Sequence, residues 1–151
     1  MVNSTRKRTC IIGIGNPLRA DDGVGAYVCE LLKGKEIEGI TFITTHQLDF
    51  GITEELAQFD NVVFVDASVE TSSISLMELT EEDRCPPSFS HHLQVSMVAK
   101  LVNELFDAST RFHLCSVGSY RFGMGVSISA KARNNAHAAV TLLTDWIMAR
   151  D

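Results

Sequence analysis

The stretch Gly13-Ile14-Gly15-Asn16-Pro17-Leu18-Arg19-Ala20-Asp21-Asp22-Gly23-Val24-Gly25 leaves an apolar run of Cys10, Ile11, Ile12 and Ile14 and turns on two glycines. It then sets two adjacent acids before an amphipathic segment. Open α/β sheets place ligand groups where a strand gives way to a helix. The glycines invite a phosphate cradle, yet a phosphate would meet the charges of Asp21 and Asp22, and no Lys follows as a P-loop requires. Leu18 stands where a dinucleotide fingerprint has its third glycine. Carboxylates at such a point suit a cation.

Outward from this stretch, the chain alternates two periodicities. Val24, Tyr27, Val28, Leu31 and Leu32 recur at helical spacing from Asp22 onward. Residues 8–15, 39–45, 62–65 and 112–117 read as strands, and the unbroken run at 62–65 is that of a strand covered on both faces. Ile74, Leu76 and Leu79 suggest an antiparallel or edge strand. A short helix is expected over 53–59 with Thr53 as its N-cap. Another follows His91 and His92, with Leu93, Met97, Leu101 and Leu105 on one face and Val98 and Val102 beside them. The last runs from about Ser129, its apolar face built from Ala132, Ala136, Val140, Leu143 and Ile147. The expected fold is one three-layer α/β/α domain over residues 1–151, with a twisted, mostly parallel sheet of five or six strands.

The 151 residues, 45% hydrophobic and 21% charged, suffice for one full core, and no linker or repeat divides them. A net charge of −6 disfavours nucleic acid and anionic membranes as partners. No apolar run approaches the roughly 18 residues that span a bilayer. Arg6, Lys7 and Arg8 precede only a short apolar run that reads as a strand rather than a signal peptide, so the cytoplasm is the expected location. Cys10, Cys29, Cys85 and Cys115 form neither a zinc spacing nor a disulfide frame. Three of them sit in apolar segments as buried thiols, and Cys85 falls beside Pro86 and Pro87.

Three distant points converge if this architecture holds. Asp21 and Asp22 follow the first strand, Asp66 ends a central one, and His91 and His92 precede a helix. Two carboxylates and an imidazole make an O, O, N set suited to Zn²⁺ or Ni²⁺ with positions open to substrate. Each residue also has a plain structural use. An acid before a helix is a favoured N-cap, and Asp21 is the better placed of the two, so Asp21→Asn would be mild. Asp66 serves equally well as a turn acceptor, and paired histidines are often simply exposed. No G-x-S-x-G or H-E-x-x-H occurs.

The run from Gly13 to Gly25 resembles the opening motif of the hydrogenase maturation endopeptidases, which trim the C-terminus of the large subunit of nickel–iron hydrogenases. Val65-Asp66-Ala67 resembles the family's second motif and Ser90-His91-His92-Leu93 its third. Gln47-Leu48 and Gly123-x-Gly125-x-Ser127 resemble further family features, whereas Asp49-Phe50-Gly51 departs from the usual pattern. The resemblance implies Asp22, Asp66 and His91 as the catalytic and metal-binding cluster, with His92 as fallback. It implies a hydrogenase large-subunit precursor as partner and substrate, with substrate nickel as the recognition element. No permanent cofactor is expected, although zinc or nickel can occupy such a site. Two alternatives are a metal-dependent hydrolase of another amide, and a maturation chaperone that binds metal or precursor without cleaving.

Overall fold

The computed structural model describes residues 7–80 and 90–150, and for residues 90–93 the helical course alone. Five strands form one sheet in the order β2-β1-β3-β5-β4: β1 Thr9–Ile14, β2 Ile40–Thr45, β3 Asn61–Ser68, β4 Ile74–Leu79 and β5 Arg111–Gly118. The first three and β5 are parallel, with Thr9 level with Ile40 and Asn61, and Asn61 level with Arg111. β4 runs antiparallel on the β5 edge, Ile74 opposite Val117. The three-layer, mainly parallel arrangement expected from the sequence is present.

Alternation along the strands sorts side chains into two cores. Cys10, Ile12, Val62, Phe64, Phe112 and Leu114 point to one face, Ile11, Val63, Val65, Cys115 and Val117 to the other. The second face is covered by α1 (Val24–Lys33) and α4 (Ala130–Ala149), through Val24, Val28 and Leu32 and through Ala136, Val140, Leu143 and Ile147. The first is covered by α2 (Thr53–Leu56) and α3 (Ser90–Leu105). Both faces of the central strands are therefore dry, which is why β3 reads as a continuous apolar run.

Three local expectations change. The buried stripe of α3 is Val95, Val98, Ala99 and Val102, while Met97 and Leu105 are exposed. Both stripes satisfy i, i+4 spacing, but only the compact valine stripe lies against the sheet, and Leu93 falls outside the described side chains. Thr53 is not the cap of α2. Asp49 instead accepts the Gly51 N–H at 2.8 Å and starts a 3-10 turn, Phe50–Ile52, that runs directly into the helix. The first helix likewise begins later than Asp22: a 3-10 turn, Ala20–Gly23, holds both acids and leads into α1 at Val24.

Candidate functional site

The C-terminal ends of β1 and β3 are neighbours, with Gly13 level with Val65 and hence Ile14 level with Asp66. α1 enters this rim unusually close to the strands. A Cβ on Gly25 would lie 2.6 Å from the Val65 carbonyl oxygen and 2.9 Å from the Ile14 nitrogen, so only glycine permits the approach. Gly15, at φ 134°, has the Asp22 carbonyl oxygen where a side chain would begin. These two glycines place the acidic turn on the rim instead of binding a phosphate.

Asp22 is half-buried there and accepts the Asn16 N–H on Oδ2 at 2.8 Å. Its Oδ1 has no protein donor among the described residues. Asn16 in turn accepts the Leu18 N–H at 2.9 Å, so the loop from β1 is folded around the Asp22 carboxylate.

Asp66 is buried, 7% exposed, and β3 continues two residues beyond it. It is therefore a strand residue at the height where β1 stops, and it is not the residue that ends the strand. By alternation with Val62 and Phe64 it belongs to the face that α3 covers. That helix is about 24 Å long at 1.5 Å per residue. Five residues separate its last residue, Leu105, from Arg111 at the start of β5, so its first turn lies toward the same C-terminal rim. His91 is in that first turn; its side chain and that of His92 lie outside the described residues. No group of three His, Cys, Asp or Glu side chains forms a ready-made metal site among the described residues, a count that two carboxylates cannot reach.

Asp21 does not cap α1; no side chain caps either the 3-10 turn or the helix. It is fully buried, and its carboxylate reaches across the rim to the loop after β5. Oδ2 accepts the Tyr120 N–H at 2.9 Å, the Arg121 N–H at 3.0 Å and the Ser129 hydroxyl at 2.7 Å, and Oδ1 accepts the Ser129 N–H at 2.7 Å. Burial raises its pKa, but the combined hydrogen bonds from Ser129, Tyr120 and Arg121 outweigh this and hold it below the ordinary Asp value. Ser129 is itself the N-cap of α4, accepting the Ala132 N–H.

The same loop is stitched to the first motif by backbone bonds, Ala20 N–H to Gly125 O at 2.7 Å, Gly125 N–H to Leu18 O at 2.9 Å and Asp21 N–H to Arg121 O at 2.8 Å. These hold Ala20 at φ 51°, a conformation uncommon outside glycine. Sequence reading missed this clamp, because its donors are mostly backbone amides about 100 residues away. The paired acids were the one signal for it: a single cap leaves the second acid unexplained.

Elsewhere, Cys10, Cys29 and Cys115 are buried and burial pushes each thiol up to about 12, as inert packing residues. Cys85 lies outside the described residues. His46 is exposed, His137 meets the Tyr27 hydroxyl at 3.2 Å, and His113 is buried edge-on against Trp146.

An α/β/α domain with an acidic rim at the switch from β1 to β3 defines a class, and its fold is that of the hydrogenase maturation endopeptidases. The endopeptidase HybD of Escherichia coli superposes with a TM-score of 0.75 at 14% identity, covering 93% of this chain and 92% of that one. HycI of Thermococcus kodakarensis does so at 0.75 and 23%, covering 96% and 95%, and HybD of the same organism at 0.73 and 16%, covering 93% and 99%. In sequence, a candidate hydrogenase maturation protease of Methanocaldococcus jannaschii is 28% identical over 114 residues, 68% of each chain. No family model matches. The resemblance carried by the motifs thus extends to the fold. No helix among the described residues is long and apolar enough to cross a membrane.

Proposed function

We propose that this protein is an endopeptidase that removes a C-terminal extension from the nickel-loaded large-subunit precursor of a nickel–iron hydrogenase, in the cytoplasm. The observation that supports the reading is that the turn holding Asp22, the level of Asp66 on β3 and the first turn of α3 all lie toward the C-terminal ends of the strands. The relatives' names supply the reaction class. Asp22 and Asp66 offer carboxylate oxygens and His91 an imidazole nitrogen to the nickel that the precursor brings. A divalent ion held there polarises a carbonyl or activates water. The chain's own part is to present carboxylate oxygens at fixed positions on the rim, where a precursor that brings its cation gains ligands that a precursor without it does not. Specificity for the loaded precursor follows from those ligands. Three ligands without a fourth make a weak site in the free protein, which zinc or nickel fills reversibly and no permanent cofactor occupies.

The test is incubation of nickel-loaded and nickel-free precursor with the protein and with Asp22→Asn, Asp66→Asn, His91→Ala and His92→Ala, read on a gel beside thermal melts. Asn preserves shape and removes the charge a cation requires. The first three variants should lose processing and keep their fold, and His92→Ala should process normally. Equal cleavage of both precursors, or full cleavage by Asp22→Asn with a normal melt, defeats the reading.

A further inference from the structure

The loop that Asp21 clamps carries an exposed surface that the rim chemistry does not use. Met124 and Val126 are 88% and 74% exposed, and Leu18, whose carbonyl accepts the Gly125 N–H, is 56% exposed. Large apolar side chains singly exposed are ordinary, but these three are drawn together by the Arg19–Gly125 bridge. Arg19 and Arg121 are exposed on the same two stitched segments, and neither guanidinium has a carboxylate partner among the described residues. Lys131 adds a third cation, its Nζ 5.5 Å from the centre of the Tyr120 ring. On a chain of net charge −6, these three cations outnumber the two acids of the adjoining turn, Asp21 and Asp22, and Asp21 is buried beneath the loop rather than exposed on it.

We propose that this patch is the docking surface for the substrate polypeptide, and that it takes a segment whose apolar side chains are flanked by carboxylates. The proposal rests on the endopeptidase reading and adds the chemistry of the segment recognised. Charge complementarity selects the occupant. An acidic segment is repelled by the net charge of the chain and attracted by the cations of this patch, which orients it across the rim. The apolar trio supplies area for the neighbouring side chains, and the cations supply register. Continuity with the site is covalent and hydrogen-bonded: Leu18 and Arg19 lie between Asn16, which donates to Asp22, and Asp21, which holds the loop. A segment lying on the patch is thereby delivered beside Asp22.

Two measurements on the nickel-loaded precursor test this: affinity by fluorescence titration at 50 and 300 mM salt, and processing kinetics. Variants are Arg19→Glu/Arg121→Glu and Met124→Asp, with Lys35→Glu as a charge-changed control at the opposite end of the sheet. Affinity should fall roughly 10-fold or more in the double variant and several-fold in Met124→Asp, KM rising in step with kcat held. The salt dependence of the wild type should flatten in the double variant. Affinity and KM matching the Lys35→Glu control overturn the docking surface and leave the endopeptidase reading intact. Lost affinity in the variants, with a wild type that binds but never cleaves, supports the surface and overturns the endopeptidase reading instead.

Discussion

Asp21→Asn distinguishes the clamp from the helix cap that its position in the sequence suggests. The wild-type carboxylate receives four hydrogen bonds while fully buried, three on Oδ2 and one on Oδ1. An amide has one acceptor atom. If its oxygen takes the place of Oδ2, its NH₂ group faces the Ser129 N–H at the 2.7 Å now spanned by a hydrogen bond, donor against donor. If it turns over, three donors lose their acceptor. In the better orientation one charge-assisted bond is lost and a buried donor is stranded, on the order of 3 kcal/mol together with the weakening of the remaining three. At about 2–4 °C per kcal/mol for a chain of this size, the melting temperature should fall by about 6–12 °C.

The assay is thermal unfolding by circular dichroism, with amide hydrogen exchange at Tyr120, Arg121 and Ser129. Those amides should exchange faster while those of β3 keep their protection relative to global unfolding. A cap tolerates Asn as well as Asp. A variant melting within about 2 °C of wild type, less than 1 kcal/mol by the same conversion, would therefore refute the clamp as a stabilising element. The pH dependence has a definite sign. Asp21 has a lowered pKa in the fold, so its contribution is complete above the ordinary Asp range and is lost as pH falls below it. The gap between wild type and Asp21→Asn should narrow in acid.

The remaining predictions concern other parts of the fold. Gly25→Ala should destabilise by about 1–3 kcal/mol and weaken processing, because its methyl overlaps the Val65 carbonyl and forces α1 off the rim; an unchanged melt would contradict the close packing. Cys10, Cys29 and Cys115 should resist iodoacetamide at pH 8 in the native state and react fully in guanidinium, as peptide mapping will show. His113 has a pKa lowered by burial, so the unfolded chain gains a proton before the folded one does. Stability should decline as pH falls below about 6.5, and His113→Phe should flatten the melt profile between pH 7 and 5. Dialysis against chelator should strip any bound divalent ion without unfolding the protein; a retained stoichiometric ion, or unfolding, would mark a structural metal site.

The limits of reading this chain from its sequence follow the range over which each interaction acts. The strands were legible because burial on both faces leaves an unmistakable mark in Val62 to Val65, and α4 because its apolar face, Ala132 to Ile147, admits one phase only. α3 admitted two phases, Leu93-Met97-Leu101-Leu105 and Val95-Val98-Ala99-Val102, and only the sheet beneath it could choose. The site divides in the same way. Asp22 and Asp66 stand out in sequence because each is a charged residue where the chain passes from dry strand to rim. The task of Asp21 is invisible there, since its partners are the amides of Tyr120, Arg121 and Ser129, and an amide carries no side-chain signature. Two adjacent acids at one strand end thus face opposite demands. One must be satisfied by the protein to remain a buried anion, and the other must keep an oxygen for something the protein does not supply. Adjacency links them: the turn that presents Asp22 is rigid because Asp21 is anchored on the far side of the rim. The prediction for Asp21→Asn therefore extends beyond stability. Once the anchor loosens, the open oxygen of Asp22 loses its fixed position, and processing should weaken even at temperatures where the variant remains folded.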